Sequence, residues 1–91
     1  MSDNVNQLRE KIDSIDQRIL ECLVERIETV KLLSEKKQRD NLPVLDFERE
    51  QKLKRTWIAK AEEYEIDVGH ISGILNEILE ISKQTQKAMM K

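Results

Sequence analysis

The stretch from residue 5 to residue 38 reads VNQLREKIDSIDQRILECLVERIETVKLLSEKKQ and contains neither Gly nor Pro. Apolar residues recur along it every three or four positions, which is the spacing of one face of an α-helix. These positions are Leu8, Ile12, Ile15, Ile19, Cys22, Val30 and Leu33. The pattern predicts one very long N-terminal helix over about residues 5–38, which at 1.5 Å per residue is ~50 Å long.

Two shorter helices are predicted after the long one. A polar cluster followed by Pro43, the single proline of the chain, marks the break. Asp46 is a candidate N-cap for a helix over about 46–63, and Asp67 is a candidate N-cap for a helix over about 67–88. Because no alternating run of β-branched and aromatic residues is present, we predict an all-α chain with three helices.

The composition limits the class of protein. At 91 residues, the chain is predicted to form a single domain over residues 1–91. Its 16 basic and 18 acidic residues give a formal net charge of −2, which argues against a nucleic-acid partner. No apolar run approaches the roughly 18 residues of a membrane helix, and the first residues are too polar for a signal peptide. We therefore expect a cytoplasmic protein without a membrane partner.

Few side chains are available for covalent, metal or acid–base chemistry. With Cys22 the only cysteine and His70 the only histidine, we predict no metal site, no cofactor and no Cys–His nucleophile. We interpret Cys22 as a core residue, His70 as a surface residue, and Trp57 and Tyr64 as packing residues. What remains is binding, or catalysis by positioning and electrostatics alone.

The length of the first helix creates a packing problem. A compact chain of this size has a radius of gyration of only about 12–13 Å, and two short helices cannot cover a ~50 Å rod. We therefore predict an interlocked homodimer in which the long helix pairs with its copy. A long, exposed monomeric hairpin is the alternative.

Polar side chains interrupt the apolar stripe of every predicted helix. On a helical projection, Arg26 and Lys37 fall within ~40° of the Leu and Ile positions of the first helix. In the second helix, Glu50 and Asp46 continue the stripe, with Arg49 beside them. In the third helix, the stripe continues into Ser82 and Gln86.

These polar positions allow two interpretations. Asp46 and Glu50 could neutralise Arg26 and Lys37, because a buried cation without a counter-charge is very costly. Because polar groups recur on all three helices, we favour a ligand cavity. Its excess of cations and neutral donors indicates a small anionic ligand, and the planar fork of arginine suits carboxylates.

Arg9 does not share this face. It lies ~100° from Arg26 around the helix, so it cannot serve the same cavity from the same copy of the chain. In an antiparallel dimer it could point into the partner's cavity. From the spacing alone, a solvent-exposed arginine is the preferred interpretation.

Taken in order along the chain, these residues resemble the all-helical class of chorismate mutases. The matching motifs are Leu8-Arg9-Glu10-Lys11-Ile12-Asp13, Glu25-Arg26, Lys37, Pro43-Val44, Asp46-Phe47-Glu48-Arg49-Glu50, Ser82 and Thr85-Gln86. The resemblance covers essentially the whole chain. It implies an intertwined dimer of three-helix chains that rearranges chorismate to prephenate, a unimolecular pericyclic step towards phenylalanine and tyrosine without covalent or acid–base catalysis.

The resemblance also implies roles for the charged residues and for one amide. Arg26 and, from the other subunit, Arg9 hold the substrate carboxylates. Lys37 contacts a carboxylate and the ether oxygen of the breaking bond. Gln86 donates a hydrogen bond to that same ether oxygen.

The remaining implied roles bear on which reaction is catalysed. Glu50 accepts a hydrogen bond from the ring hydroxyl with the backbone at Asp46 nearby, Ser82 supports the ring carboxylate, and Arg49 orders the cavity wall. An isochorismate-pyruvate lyase on the same scaffold lacks the acidic residue corresponding to Glu50, so its presence favours the mutase. A non-catalytic helical interaction module and a domain of a longer polypeptide stay open as alternatives.

Overall fold

The computed structural model describes residues 4–90, which form three α-helices. These are α1 (Val5–Arg39), α2 (Phe47–Glu63) and α3 (Val68–Met89). Residues 4–90 contain no strand, so the prediction of an all-α chain with one long and two shorter helices is confirmed. No helix in that range is both long and apolar enough to span a membrane. That residues 1–91 form a single domain stays a prediction.

Side chains cap the N-terminus of each helix. Before α1, the side chain of Asn4 accepts the Gln7 N–H and the side chain of Gln7 accepts the Asn4 N–H, both at 2.9 Å, which is a capping box. Asp46 and Asp67 accept a backbone N–H three residues further on, at 3.0 Å and 2.9 Å. The two N-caps predicted from the sequence are thereby confirmed.

Left-handed residues end the first two helices. Asn41 has φ 55° and Glu65 has φ 56°. After α1, the Leu42 N–H donates to the Lys37 carbonyl at 2.7 Å, the bond that closes a Schellman motif. The chain then turns back far enough for Lys37 Nζ to donate to the Val44 carbonyl at 2.9 Å. The cap of α1 thus fixes the position of a predicted site residue.

The central element of the fold is α3, which packs against both of the other helices. No Cα atom of α1 lies within 8 Å of a Cα atom of α2. Within residues 4–90 the buried apolar residues are few, namely Val30, Ala61, Leu75 and Leu79. Because α1 and α2 meet only through α3, room is left between the three helices for a cavity.

The N-terminal half of α1 is exposed along its whole length, residues 5–22. The chain measures 58 × 25 × 15 Å, and its radius of gyration is 16.9 Å, well above the about 12 Å of a compact chain of this length. Cys22 is exposed, so its prediction as a core residue is wrong for the single chain, because no second helix covers this part of α1. Trp57 is half-buried, whereas Tyr64 is exposed and packs little.

Candidate active site

A cavity of about 150 Å³ lies between the C-terminal half of α1, the N-terminal end of α2 and the C-terminal half of α3. Seven of the eight predicted site residues line it, namely Arg26, Lys37, Asp46, Arg49, Glu50, Ser82 and Gln86. Apolar side chains of the three helices and of the loop before α2 complete the wall. The structure therefore brings together residues up to 60 positions apart in the sequence.

Arg9 is the predicted site residue that the fold does not bring to this cavity. It is exposed in the second turn of α1. Along a straight helix, the 17 residues between Arg9 and Arg26 correspond to ~26 Å. An arginine side chain cannot cross that distance, so Arg9 cannot act in the cavity of its own chain.

Lys37 and Gln86 lie side by side at one end of the cavity. The Lys37 ammonium donates to Gln86 Oε1 at 3.1 Å and to the Val44 carbonyl at 2.9 Å. Gln86 is buried, and its Nε2 donates to the Ser82 carbonyl at 3.4 Å, one turn earlier in α3. The partners of this lysine are neutral oxygens, so its charge is solvated by dipoles and is not cancelled by a carboxylate.

Arg26 and Ser82 form a second polar pair in the cavity. Arg26 Nη1 donates to Ser82 Oγ, and this hydroxyl in turn donates to the Ile78 carbonyl at 3.1 Å. The pKa of Arg26 is lowered, first because burial removes water from the guanidinium and second because Arg49 lies nearby with like charge. The negative charge of an anion bound between the two arginines would offset both effects.

The carboxylates at the cavity do not neutralise these cations. Glu50 Oε1 pairs with Lys83 Nζ at 3.1 Å, and Asp46 accepts a backbone N–H as the N-cap of α2. Among the ion pairs that residues 4–90 form, none includes Arg26 or Lys37. The interpretation in which Asp46 and Glu50 cancel the cations is therefore wrong, and the cavity is left suited to an anion.

Sequence reasoning missed Lys83 as a lining residue. It follows Ser82 directly and precedes Gln86 by three positions, so it lies ~60° from Gln86 around α3. A position at the edge of a polar stripe is a weak signal, because most lysines there lie in solvent. The signal becomes informative only once α2 is known to bring Glu50 within reach.

Together, the fold and the cavity define a class of protein: a three-helix, all-α chain with a cationic cavity suited to a small anion. The family model described as chorismate mutase type II matches residues 8–87, and the chain belongs to that family. The resemblance read from the sequence motifs is thereby confirmed, as is the prediction of a chorismate mutase at the level of the family.

Curated relatives cover the same range of the chain. The bifunctional chorismate mutase/prephenate dehydratase of Escherichia coli (strain K12) is 32% identical over 84 residues, which are 92% of this chain and 22% of that protein. The bifunctional enzyme of Buchnera aphidicola from Acyrthosiphon pisum is 31% identical over 83 residues, 91% of this chain and 22% of that protein. The chain spans about a fifth of the length of these relatives. The chorismate mutase of Methanocaldococcus jannaschii is 29% identical over 91 residues, which are 100% of this chain and 92% of that protein.

Proposed function

We propose that this protein catalyses the rearrangement of chorismate to prephenate without a cofactor. The observation that carries the proposal is the cavity in which Lys37 and Gln86 meet at 3.1 Å next to the Arg26–Ser82 pair. Chorismate is a dianion, and within residues 4–90 neither Arg26 nor Lys37 forms an ion pair with a carboxylate that a substrate would have to displace. The family membership points to the same substrate.

Binding begins with the two substrate carboxylates. Arg26 holds one of them through its guanidinium fork, and Ser82, which Arg26 already contacts, supports the ring carboxylate. Arg9 of the partner subunit holds the other carboxylate. Fixing both ends folds the enolpyruvyl side chain over the ring, which brings the two carbon atoms that must bond into contact. Because binding already fixes this conformation, the bound substrate loses much less entropy on reaching the transition state than the free molecule does.

The rearrangement itself moves electron pairs within the substrate. The carbon–oxygen bond of the ether breaks while a carbon–carbon bond forms, and no proton is transferred. Partial negative charge grows on the ether oxygen as its bond lengthens. Lys37 and the amide N–H of Gln86 are fixed donors for this charge, so they stabilise the transition state more than the bound substrate.

The α2 residues complete the site from the opposite wall. Glu50 accepts a hydrogen bond from the ring hydroxyl, and the backbone at Asp46 lies beside it. Arg49 contributes positive charge and orders this wall. Glu50 also separates the mutase from the isochorismate-pyruvate lyase alternative, because the lyase has no acidic residue at that position.

We further propose that the active form is a homodimer built on α1. The apolar stripe of residues 5–22 is solvent-exposed in one chain, with Ile12 at 55% and Ile19 at 54% exposure. Burying such a stripe against a second copy is strongly favourable. In an antiparallel arrangement, Arg9 of the partner subunit lies at the cavity. The Arg9 of the same chain cannot reach that cavity. A cytoplasmic location stays a prediction.

Shared sites can be tested by complementation between inactive chains. Arg9→Ala and Arg26→Ala chains are each expected to form dimers with little activity. If Arg9 serves the partner's site, a co-refolded equal mixture regains about one quarter of the wild-type activity, because half of the dimers are mixed and each has one intact site. If the mixture stays as inactive as its components, Arg9 does not act across the dimer.

The activity is tested by following the loss of the chorismate diene absorbance and identifying the product. Prephenate formation that falls about 10²–10³-fold in Lys37→Ala establishes the proposal. Lys36→Ala is the matched control, because Lys36 is the neighbouring lysine and its side chain is 63% exposed. If the folded dimer does not turn over chorismate, the proposed function is overturned. Pyruvate release from isochorismate would then identify the lyase. Inactivity on both substrates would identify the non-catalytic module.

The pH dependence gives an independent check on the donors. Gln86 does not ionise, and the rearrangement transfers no proton, so no acid–base step limits the rate between about pH 6 and 8. We therefore expect turnover to be flat across this range. A sharp optimum within it would contradict a mechanism without proton transfer.

A further inference from the structure

The ion pair between Lys83 and Glu50 differs from the other two ion pairs within residues 4–90. It joins α3 to α2 at the cavity wall, and its side chains are 31% and 21% exposed. The other two, Lys36–Asp40 and Lys60–Glu63, each lie within one helix or at its end and are 46–63% exposed. Exposed pairs of that kind contribute little to stability. The Lys83–Glu50 pair is less exposed and joins two helices, so its position at the cavity calls for an explanation.

The pair leaves one carboxylate oxygen available to a ligand. Lys83 Nζ meets Glu50 Oε1 at 3.1 Å. The hydrogen bonds that residues 4–90 form include none to Oε2 of Glu50, and both side chains line the cavity. A carboxylate has two oxygens and about four acceptor positions, so one side can be tied down while the other accepts a new donor.

We propose that Lys83 is a positioning residue for the reaction proposed above, on which this inference rests. Lys83 restricts rotation of the Glu50 carboxylate and keeps Oε2 directed at the hydroxyl of the substrate ring. It also offsets the negative charge of Glu50, which would otherwise repel a dianionic substrate in the same cavity. Lys83 acts through Glu50 and does not touch the reacting atoms.

This role predicts a particular kinetic signature. The ring hydroxyl keeps its bonds and its charge during the rearrangement, so its hydrogen bond is equally strong in the bound substrate and in the transition state. Losing such an interaction raises KM and leaves kcat nearly unchanged. Losing Lys37 or Gln86 lowers kcat, because their hydrogen bonds strengthen only in the transition state.

The experiment compares the steady-state kinetics of Lys83→Met with those of the unaltered protein. We expect KM to rise about tenfold, or ~1.4 kcal/mol, with kcat changed by less than about threefold. Lys83→Arg keeps the charge and the reach, so it should restore KM. Lys60→Met is the matched control, since it removes one cation and a 3.1 Å ion pair that lies outside the cavity.

A second substitution separates positioning from bulk charge. If Lys83 acts through Glu50, Lys83→Met adds nothing to the effect of Glu50→Gln. If the two effects on KM multiply, Lys83 acts as a general positive charge and the proposal is overturned. Should Lys83→Met fail to fold, as judged by circular dichroism, Lys83→Gln takes its place in the same cycle.

The remaining outcomes are equally decisive. An unaltered KM in Lys83→Met, with an active wild-type protein, overturns this inference and leaves the proposed function standing. A fall in kcat together with the melting temperature, without a change in KM, assigns Lys83 a purely structural role. A wild-type protein that does not convert chorismate overturns the proposed function and this inference together.

Discussion

The two halves of α1 carry the same apolar stripe and have opposite surroundings. In the C-terminal half, Val30 is 8% exposed and Ser34 is 2% exposed, because α3 packs against them. In the N-terminal half, Ile12 and Ile19 are more than half exposed. The helix is continuous across both halves, so secondary structure does not explain the difference.

The comparison teaches that a stripe predicts burial without saying what buries it. Within one chain, α3 is only long enough to cover the half that carries Arg26 and Lys37. The half that carries Arg9 is left with an exposed apolar face and with a cation that cannot reach the cavity lined by Lys37 and Gln86 in its own chain. One half therefore supplies a site, and the other carries the exposed apolar face that we propose is an interface with a second copy.

The largest effect is expected at the contact between α3 and the C-terminal half of α1, which we call the packed half because α3 covers it. Gln86→Ala removes the amide that we propose donates to the ether oxygen, together with the acceptor that holds Lys37 Nζ at 3.1 Å. We expect kcat to fall about 10²–10³-fold, measured by chorismate consumption. Gln84→Ala, on an exposed position of the same helix, should leave kcat unchanged. Near-normal turnover of the Gln86 variant would remove this residue from the mechanism.

The next largest effect is expected on dimerisation and concerns the N-terminal half of α1, residues 5–22, which we call the exposed half. Ile12→Glu puts a charge into the stripe that we propose is buried against a second copy, which should weaken dimerisation about 100-fold. Sedimentation equilibrium at several protein concentrations measures the change, and activity should fall in parallel with the dimer. Gln17→Glu adds the same charge on the opposite face of α1 and is the control. An Ile12→Glu protein that sediments like the wild type would break the comparison between the two halves.

Much of the fold was predictable because it rests on local signals. The spacing of apolar residues gave α1, and the N-cap positions of Asp46 and Asp67 gave the starts of α2 and α3. The cavity was predictable in part, because Arg26 and Lys37 stand where leucine or isoleucine is expected. The exposure of Cys22 and the pairing of Glu50 with Lys83 were not, since both depend on which helices meet in three dimensions.

A smaller effect is expected on the free energy of unfolding when Arg26, one of the cations of the packed half, is removed. The fold lowers the pKa of Arg26, so the charged form is disfavoured relative to the unfolded chain at every pH below that pKa. Arg26→Leu should therefore keep the free energy of unfolding or raise it by about 1 kcal/mol or less, while turnover is lost. Urea denaturation at pH 7 measures this. A loss of more than about 2 kcal/mol would make Arg26 a structural residue.

The smallest effect is a difference in the free energy of unfolding between glycine substitutions at the C-terminal ends of α1 and α2. Asn41 and Glu65 both have left-handed backbones, with φ 55° and 56°, at the same position of a Schellman motif. Glycine adopts this conformation without steric cost, whereas asparagine tolerates it better than glutamate does. Glu65→Gly should raise the free energy of unfolding by up to about 1 kcal/mol, and Asn41→Gly by only a few tenths. Turnover should stay normal in Asn41→Gly, since the turn that holds the Val44 carbonyl against Lys37 is kept. If Asn41→Gly lowers turnover, the asparagine side chain itself contributes to the packed half of the site.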